Sequence, residues 1–294
     1  MHFTLAQHIQ DFLMGCRQRG HSKATLAAYR SALDKFTAYA AAEGVTRAEA
    51  VTRTLLRNYA SSLTDQLNPG GAHARLRPLK TFFLWLEADE VIEKSPMRRV
   101  SMPRLPRQIL PAVEPEVVER LMEAALGNRH PQRDRAIVAV LYDTGLRVSE
   151  LCSLKLEDIQ PGGRLNIRQA KGGRDRIVPI SRTGLKHLVR YIQTERPASP
   201  LPEVFLTLPD TAVCRDTVKQ LLARLCVTAG TDIYSPHTFR RGFAVNYLRN
   251  SGDVFTLQRI LGHASLEMTN RYAVLNTEDI KDVHRRASPM SALK

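Results

Sequence analysis

A run of three closely spaced prolines divides the chain and sets the strongest limit on how it can fold. The run MPRLPRQILP contains Pro103, Pro106 and Pro111. Each proline lacks a backbone N–H and disfavours helix in the residue before it, so the run predicts an extended linker. A chain of 294 residues is long enough for two compact domains. We therefore expect one domain over residues 1–101, a linker over residues 102–111 and a second domain over residues 112–294.

The first expected domain shows helical patterns throughout. Leu26, Tyr29, Leu33 and Phe36 recur at helical spacing after Ser22, which suits an N-cap. Similar helical patterns occur in LAQHIQDFLMGC, RTLLRNYASSL and HARLRPLKTFFLWLEADEVI. Because no convincing strand pattern precedes residue 110, the sequence predicts a small helical bundle.

The second expected domain mixes helices with a short hairpin. Helical patterns occupy EPEVVERLMEAAL and RDRAIVAVLYDTG. The segments RLNIRQA and RDRIVPI then alternate as strands around Gly172 and Gly173, a hairpin signal. The predicted fold class is mainly α with a small antiparallel β-sheet in the second domain (α+β).

The charge balance indicates a polyanionic partner. The formal net charge is +14, divided equally between residues 1–110 and residues 111–294. A basic excess spread over both halves suits two domains that bind one polyanion, such as nucleic acid. A merely basic protein with no such partner is the alternative on charge alone.

Cysteine usage and hydropathy narrow the class of protein further. Cys16, Cys152, Cys214 and Cys226 form no CxxC motif, so we expect reduced thiols and no structural zinc site. No apolar run approaches the length of a membrane span, and MHFTLAQHIQDF does not resemble a secretory signal. The expectation is a cytoplasmic protein with no membrane association.

Five ionisable residues in three segments have the chemistry needed to hold and attack a phosphodiester. Arg147 lies in TGLRVSELCSLKLEDI, His237 and Arg240 in SPHTFRRGFA, and His263 and Tyr272 in LGHASLEMTNRYA. Two guanidiniums can bind the non-bridging oxygens, imidazoles can donate hydrogen bonds and move protons, and a phenol can attack phosphorus.

Local patterns indicate how these side chains are presented. Ser235 suits an N-cap, and the helix it starts places His237 and Arg240 one turn apart, where free amides favour an anion. Glu150 lies three residues after Arg147 and can orient its guanidinium, although such a pair is more often a surface ion pair. Gly262 can end a helix in a left-handed conformation just before the histidine that follows it.

These segments strongly resemble the tyrosine recombinase (phage integrase) family, and the layout is most similar to Xer-type recombinases and transposon integrases. The resemblance implies that Arg147 and Arg240 bind the scissile phosphate and that Tyr272 is the nucleophile. It implies that His237 donates a hydrogen bond or carries a proton, and that His263 contacts the phosphate. Lys171, just before the hairpin glycines, matches the lysine of the family and would protonate the leaving oxygen.

The same resemblance implies a complete reaction and its partners. The expected function is site-specific recombination through a 3′-phosphotyrosyl intermediate and a Holliday junction, without ATP, metal or cofactor. The two domains are expected to form a C-shaped clamp on duplex DNA at a core site with inverted repeats. We expect a monomer or weak oligomer in free solution, a homotetramer on DNA and a nucleoid-associated location. The need for an accessory or partner recombinase stays open.

Some alternatives stay open at this point. A type IB topoisomerase would use the same nucleophile and arginines, and a catalytically silent DNA-binding protein would need neither Tyr272 nor Lys171. Val274 stands where Xer-type proteins that resolve chromosome dimers typically have a histidine, and this argues for a mobile-element integrase. The tail TEDIKDVHRRASP can dock on a neighbouring protomer or fold back on its own domain.

Overall fold

The computed structural model describes residues 3–104, 112–168, 175–207 and 210–262, together with Lys281, His284, Arg285, Ser288 and Met290. The chain divides into two compact units, Met1–Gln108 and Ile109–Lys294. Within the described ranges, no helix is both long and apolar enough to span a lipid bilayer.

The first unit is a bundle of helices. Its helices are α1 (Leu5–Gln18), α2 (Lys23–Ala42), α3 (Arg53–Gln66) and α4 (Pro69–Ala88), with 3₁₀ turns at Ala48–Ala50 and Pro96–Arg99. A polar side chain accepts a backbone N–H at the start of each helix, which satisfies a donor that the helix itself cannot. These N-caps are Thr4, Ser22, Thr52 and Asn68. The predicted cap at Ser22 is therefore confirmed.

Aromatic rings fill the centre of this bundle. Phe12 of α1 contacts Phe82 of α4 edge to face, with ring centroids 5.5 Å apart. Phe36 of α2 makes a similar contact with Phe83 at 5.8 Å, and all four rings are buried. Leu33 lies on the same buried face of α2, which confirms the apolar stripe predicted for this helix.

The second unit combines helices with short strands. Its elements are α5 (Pro115–Ala124), α6 (Pro131–Thr144), α7 (Val148–Cys152), β1 (Ile159–Gln160), β2 (Arg164–Ile167), β3 (Arg176–Pro179), α8 (Arg182–Thr194), β4 (Leu206–Thr207), β5 (Thr211–Ala212), α9 (Arg215–Thr228), α10 (Pro236–Arg249) and α11 (Val254–Leu261).

The strands form the predicted small antiparallel sheet. The order is β1-β2-β3, and Leu165 of β2 lies opposite Val178 of β3. Leu165, Ile167 and Val178 all face the core, in keeping with the alternation of the sequence. The turn at Gly172 and Gly173 lies outside the described residues.

Helix α6 is the central element of this unit. It packs against α5, α8 and α10, and its residues 136–141 are buried. It ends at Gly145, whose φ of 60° is in the left-handed region that glycine adopts readily. This turn directs Leu146 into the core and brings the chain to Arg147.

The Gly145 turn gives a test of the local fold. A Cβ at Gly145 would lie 2.9 Å from Leu261 and would also meet the ring of Phe243. We expect Gly145→Ala to lower the free energy of unfolding by about 2–4 kcal/mol, because left-handed strain adds to overpacking. Thermal and urea unfolding of the full chain, followed by circular dichroism, measures this.

Gly127→Ala is the matched control, since a Cβ there would meet no atom within 4 Å. Its effect should stay below about 0.5 kcal/mol. Equal stabilities of the two variants would show that the Gly145 turn is not constrained as described.

Candidate active site

Arg147 is the N-cap of α7 and lies beside Glu150. Its Nη1 donates to Glu150 Oε1 at 2.8 Å, and its backbone N–H donates to Oε2 at 2.8 Å. The contact expected between these two residues is therefore present. The Arg147 side chain keeps 39% of its surface exposed, so it can also bind a ligand from solution.

Glu150 is buried and binds a second arginine. Arg176, the first residue of β3, donates from Nη1 to Oε1 and from Nη2 to Oε2, both at 2.9 Å. Burial acts to raise the pKa of Glu150, but hydrogen bonds from Arg176 and Arg147 outweigh it, so the pKa lies below its usual value. Glu150 is thus an anion shared by two guanidiniums.

Arg240 lies on the first turns of α10 and is almost fully buried, with 3% of its surface exposed. Its Nη1 donates to Gly145 O at 2.7 Å and its Nη2 to Leu261 O at 2.6 Å. The helix begins as predicted, because Ser235 accepts the N–H of Thr238. Arg240 is therefore fixed between the turn before Arg147 and the end of α11.

His237 lies in the first turn of the same helix, where its side chain is exposed. Partial desolvation of its ring lowers the pKa of His237, and the positive charges of Arg241, Arg240 and Arg147 lower it further. His237 lies one helical turn before Arg240 on α10, and its ring is within electrostatic range of both candidate arginines.

The C-terminus of α11 is where the arginines converge. Arg176 Nε donates to Ile260 O at 2.7 Å, Arg240 to Leu261 O and Arg147 Nη2 to Gly262 O at 3.3 Å. These carbonyls belong to the last turn and the cap of the helix, where acceptors are unpaired and the helix dipole is negative. Gly262 has φ 63°, which confirms the predicted left-handed helix end.

Hydrogen bonds join Arg147, Glu150 and Arg240 at this helix end, and His237 lies one helical turn before Arg240 on α10. The remaining candidates, Lys171, His263 and Tyr272, lie outside the described residues, so their placement stays a prediction.

Arg176 is not assigned to the candidate site from the sequence alone, and the structure places it there. Its signal was its position two residues before Val178, which puts both side chains on one face of β3. Val178 is fully buried, so an arginine on that face must find partners inside the protein.

Within the part of the chain that the structure describes, no group of three or more His, Cys, Asp or Glu residues is arranged to hold a metal ion. The candidate site consists instead of guanidinium donors, which match the oxygens of a phosphate.

Comparisons with known proteins agree with this chemistry. Residues 111–279 match the phage integrase family, and residues 6–90 match the N-terminal SAM-like domain of phage integrases. The chain is 31% identical to tyrosine recombinase XerC 2 of Ralstonia nicotianae, over 98% of this chain and 87% of that protein. It is also 31% identical to tyrosine recombinase XerD of Vibrio vulnificus, over 96% of this chain and 95% of that protein.

A solved structure shares the fold. The Tn1549 transposon integrase, in complex with a circular intermediate DNA, superposes with a TM-score of 0.76 at 20% identity. The match covers 96% of this chain and 99% of that one.

The buried carboxylate of Glu150 predicts a pH-dependent contribution to stability. Because folding lowers the pKa of Glu150 below its ordinary value of 4.5, the ionised carboxylate stabilises the fold above that pH. This stabilisation is lost as the pH falls through the lowered pKa. We expect Glu150→Gln to lower the free energy of unfolding by about 3 kcal/mol at neutral pH, since it leaves buried guanidinium uncompensated. The difference from wild type should shrink below pH 4.5.

Urea titrations of both proteins at a series of pH values measure this difference. Glu114→Gln is the control, because Glu114 pairs with Arg249 on the exposed surface. Its effect should stay within about 1 kcal/mol. A wild-type advantage over Glu150→Gln that grows in acid would contradict the ionised, shared carboxylate.

Proposed function

Because the chain belongs to the phage integrase family and is a tyrosine-type site-specific recombinase, we propose that Tyr272 attacks the scissile phosphate of a DNA core site. The Tyr272 oxygen bonds to phosphorus and its phenolic proton passes to His237 or to water, while the bond from phosphorus to the 5′-oxygen breaks and Lys171 gives that oxygen a proton. The products are a 3′-phosphotyrosyl link and a free 5′-hydroxyl.

The observation that carries this proposal is the pair of arginines anchored at one helix end. Arg147 and Arg240 bind the adjacent carbonyls of Gly262 and Leu261, and Arg240 also binds the turn that leads to Arg147. Their relative position is therefore fixed before substrate arrives. Such preorganised donors stabilise the charge that gathers on the phosphoryl oxygens in the transition state.

The other candidates supply hydrogen bonds and protons. The lowered pKa of His237 favours the neutral ring near pH 7, which has one donor and one acceptor nitrogen. We assign it a hydrogen bond to the phosphate or transfer of a proton. Lys171 would protonate the departing 5′-oxygen, and His263 would contact a non-bridging oxygen.

The phosphotyrosyl link keeps the free energy of the phosphodiester, so rejoining needs no ATP. A 5′-hydroxyl from a partner duplex attacks the phosphotyrosine, restores the DNA backbone and releases Tyr272. Two such exchanges, through a Holliday junction, recombine two sites. Four active sites are needed in all, and we therefore propose a homotetramer on DNA that is monomeric or weakly associated in free solution.

Duplex DNA is the partner in this proposal, and the core site would carry inverted repeats, because identical protomers bind symmetric half-sites. Both units share the net positive charge of +14, so each would contact phosphates. We place the protein at the nucleoid with its substrate. Accessory proteins would set the direction of the exchange.

Covalent trapping tests the nucleophile. Full-length protein is incubated with nicked DNA substrates from the flanks of the native gene. Cleavage next to the nick releases a short strand, and without this strand the DNA cannot be rejoined. We expect wild type to form a covalent complex on a denaturing gel, and Tyr272→Phe to bind DNA equally well but form none. Tyr234→Phe is the matched control, since Tyr234 lies close to His237 in sequence but before the helix.

A covalent band that survives in Tyr272→Phe and vanishes in Tyr234→Phe would reassign the nucleophile. Absence of a band with wild type, despite tight binding, would leave a DNA-binding protein without the proposed chemistry.

Salt dependence tests the DNA contacts. Each phosphate bound by lysine or arginine releases counterions, so affinity should fall steeply as salt rises. We expect the affinity for a core-site duplex to drop at least about 100-fold between roughly 50 and 200 mM salt. Arg147→Gln should reduce the slope of log affinity against log salt by about one unit. Fluorescence anisotropy gives both values, and a salt-independent affinity would contradict the proposed phosphate contacts.

A further inference from the structure

We propose that Arg176 is a positioning residue for strand cleavage, which holds Glu150 and the end of α11 so that Arg147 presents its charge to the phosphate. This inference rests on the proposed function, because it concerns how the candidate phosphate-binding arginine is held. Arg176 itself would not touch DNA.

Arg176 is fixed in place by its contacts. Its guanidinium makes two parallel hydrogen bonds to the Glu150 carboxylate and a third, from Nε, to Ile260 O. Only 10% of its side chain is exposed. A Cβ at Gly262 would lie 3.2 Å from the Arg176 guanidinium, so the backbone at Gly262 packs directly against this side chain. A side chain held in this way acts through its neighbours.

The first neighbour is Glu150. Its Oε1 accepts from Arg147 Nη1 and from Arg176 Nη1, so one negative charge is divided between two cations. Without Arg176, both carboxylate oxygens of Glu150 could pair with the Arg147 guanidinium. This two-point ion pair would compete with the phosphate for Arg147. Arg176 therefore leaves the group of Arg147, Glu150 and Arg176 with a net positive charge. The Arg147 guanidinium can then bind the phosphate.

The second neighbour is the end of α11. Arg176 binds Ile260 O, one residue before the carbonyl that Arg240 binds and two before the carbonyl that Arg147 binds. Arg176 also begins β3, and it follows Lys171 by five residues in the sequence. One side chain thus connects β3, α7 and α11, three elements that contain candidate site residues or lie next to them in the sequence.

A purely structural ion pair is the competing explanation, because buried arginine–glutamate pairs occur without any catalytic role. The two explanations differ in what they predict for the substrate. A structural role lowers the amount of folded enzyme and scales the rate equally on every substrate. If Arg176 acts through Arg147, the loss of cleavage rate in an Arg176 variant should be larger when the scissile phosphate carries more negative charge.

The test uses full-length Arg176→Gln and Arg176→Lys in single-turnover cleavage of the nicked substrate at saturating protein. We expect the maximum cleavage rate of Arg176→Gln to fall at least about tenfold, since small displacements of positioned groups cost rate steeply. DNA affinity should stay within about twofold, because Arg176 makes no phosphate contact. Arg176→Lys keeps the charge but not the two-point bond, so its rate should be intermediate.

Arg249→Gln is the matched control. Arg249 also pairs with a glutamate in the same unit, but that pair is exposed, at 51% and 44% of the two side chains. Its cleavage rate should equal wild type, as expected for a surface ion pair.

The decisive readout is a neutral substrate. A methylphosphonate at the scissile position replaces one charged non-bridging oxygen with a methyl group, which reduces the need for a cation there. We expect the rate deficits of Arg176→Gln and of Arg147→Gln to shrink together on this substrate, each by at least about fivefold. An unchanged deficit of Arg176→Gln on both substrates would overturn the inference in favour of a structural role.

The outcomes separate this inference from the proposed function. If wild type forms no phosphotyrosyl complex, or Tyr272→Phe still forms one, the proposed function fails. If wild type cleaves through Tyr272 and Arg176→Gln cleaves at the wild-type rate, only the role of Arg176 fails. Should Arg176→Gln not fold, Arg176→Lys carries the same comparison of the two substrates, because its long stem and charge are retained.

Discussion

The candidate site depends on how the second unit offsets the repulsion between arginine side chains that lie beside one another. Arg147, Arg176 and Arg240 all converge on residues 260–262, and like charges at short range repel. Two features offset that repulsion. The carbonyls at the end of α11 carry the negative end of the helix dipole, and Glu150 adds one full negative charge. One carboxylate does not neutralise three guanidiniums, so the cluster retains a net positive charge at Arg147, its most exposed member. A phosphodiester anion, the proposed ligand, would offset part of this remaining charge.

The rest of the second unit serves to bring this cluster together. Arg147 lies 115 residues before Gly262 in sequence, and Arg240 lies 95 residues after Gly145, so no local pattern can join them. The buried helix α6 and the left-handed turn at Gly145 place the arginine of α7 against α10 and α11. Packing of apolar side chains therefore sets the distances between charged ones, and the positions of the charged groups are as rigid as the core that holds them.

Local features were predictable from the sequence, and contacts over long sequence separations were not. The sequence predicts the caps at Ser22 and Ser235, the helix end at Gly262 and the antiparallel strands in RLNIRQA and RDRIVPI from patterns of neighbouring residues, and the structure confirms them. The face of β3 was harder to predict. In RIVP, Arg176 and Val178 share one face and Ile177 takes the other, so each face carries an apolar residue and alternation alone does not decide. The structure buries Val178 and leaves Ile177 55% exposed, which turns Arg176 inward to Glu150. Lys171, His263 and Tyr272 stay assigned by resemblance, because they lie outside the described residues.

The same surplus of positive charge explains a property of His237 that bears on the proposed reaction. Desolvation and the neighbouring arginines lower its pKa, so the free site disfavours a further positive charge on the imidazole. A bound phosphate would weaken the positive potential at the imidazole, because its negative charge would lie against the same arginines. The proton affinity of His237 should then rise as substrate binds and rise further as charge accumulates on the phosphoryl oxygens. A group that is neutral before binding and basic in the transition state is suited to accept a proton at that step. In the proposed reaction, the arginines would therefore bind the phosphate and also determine when His237 can take up a proton.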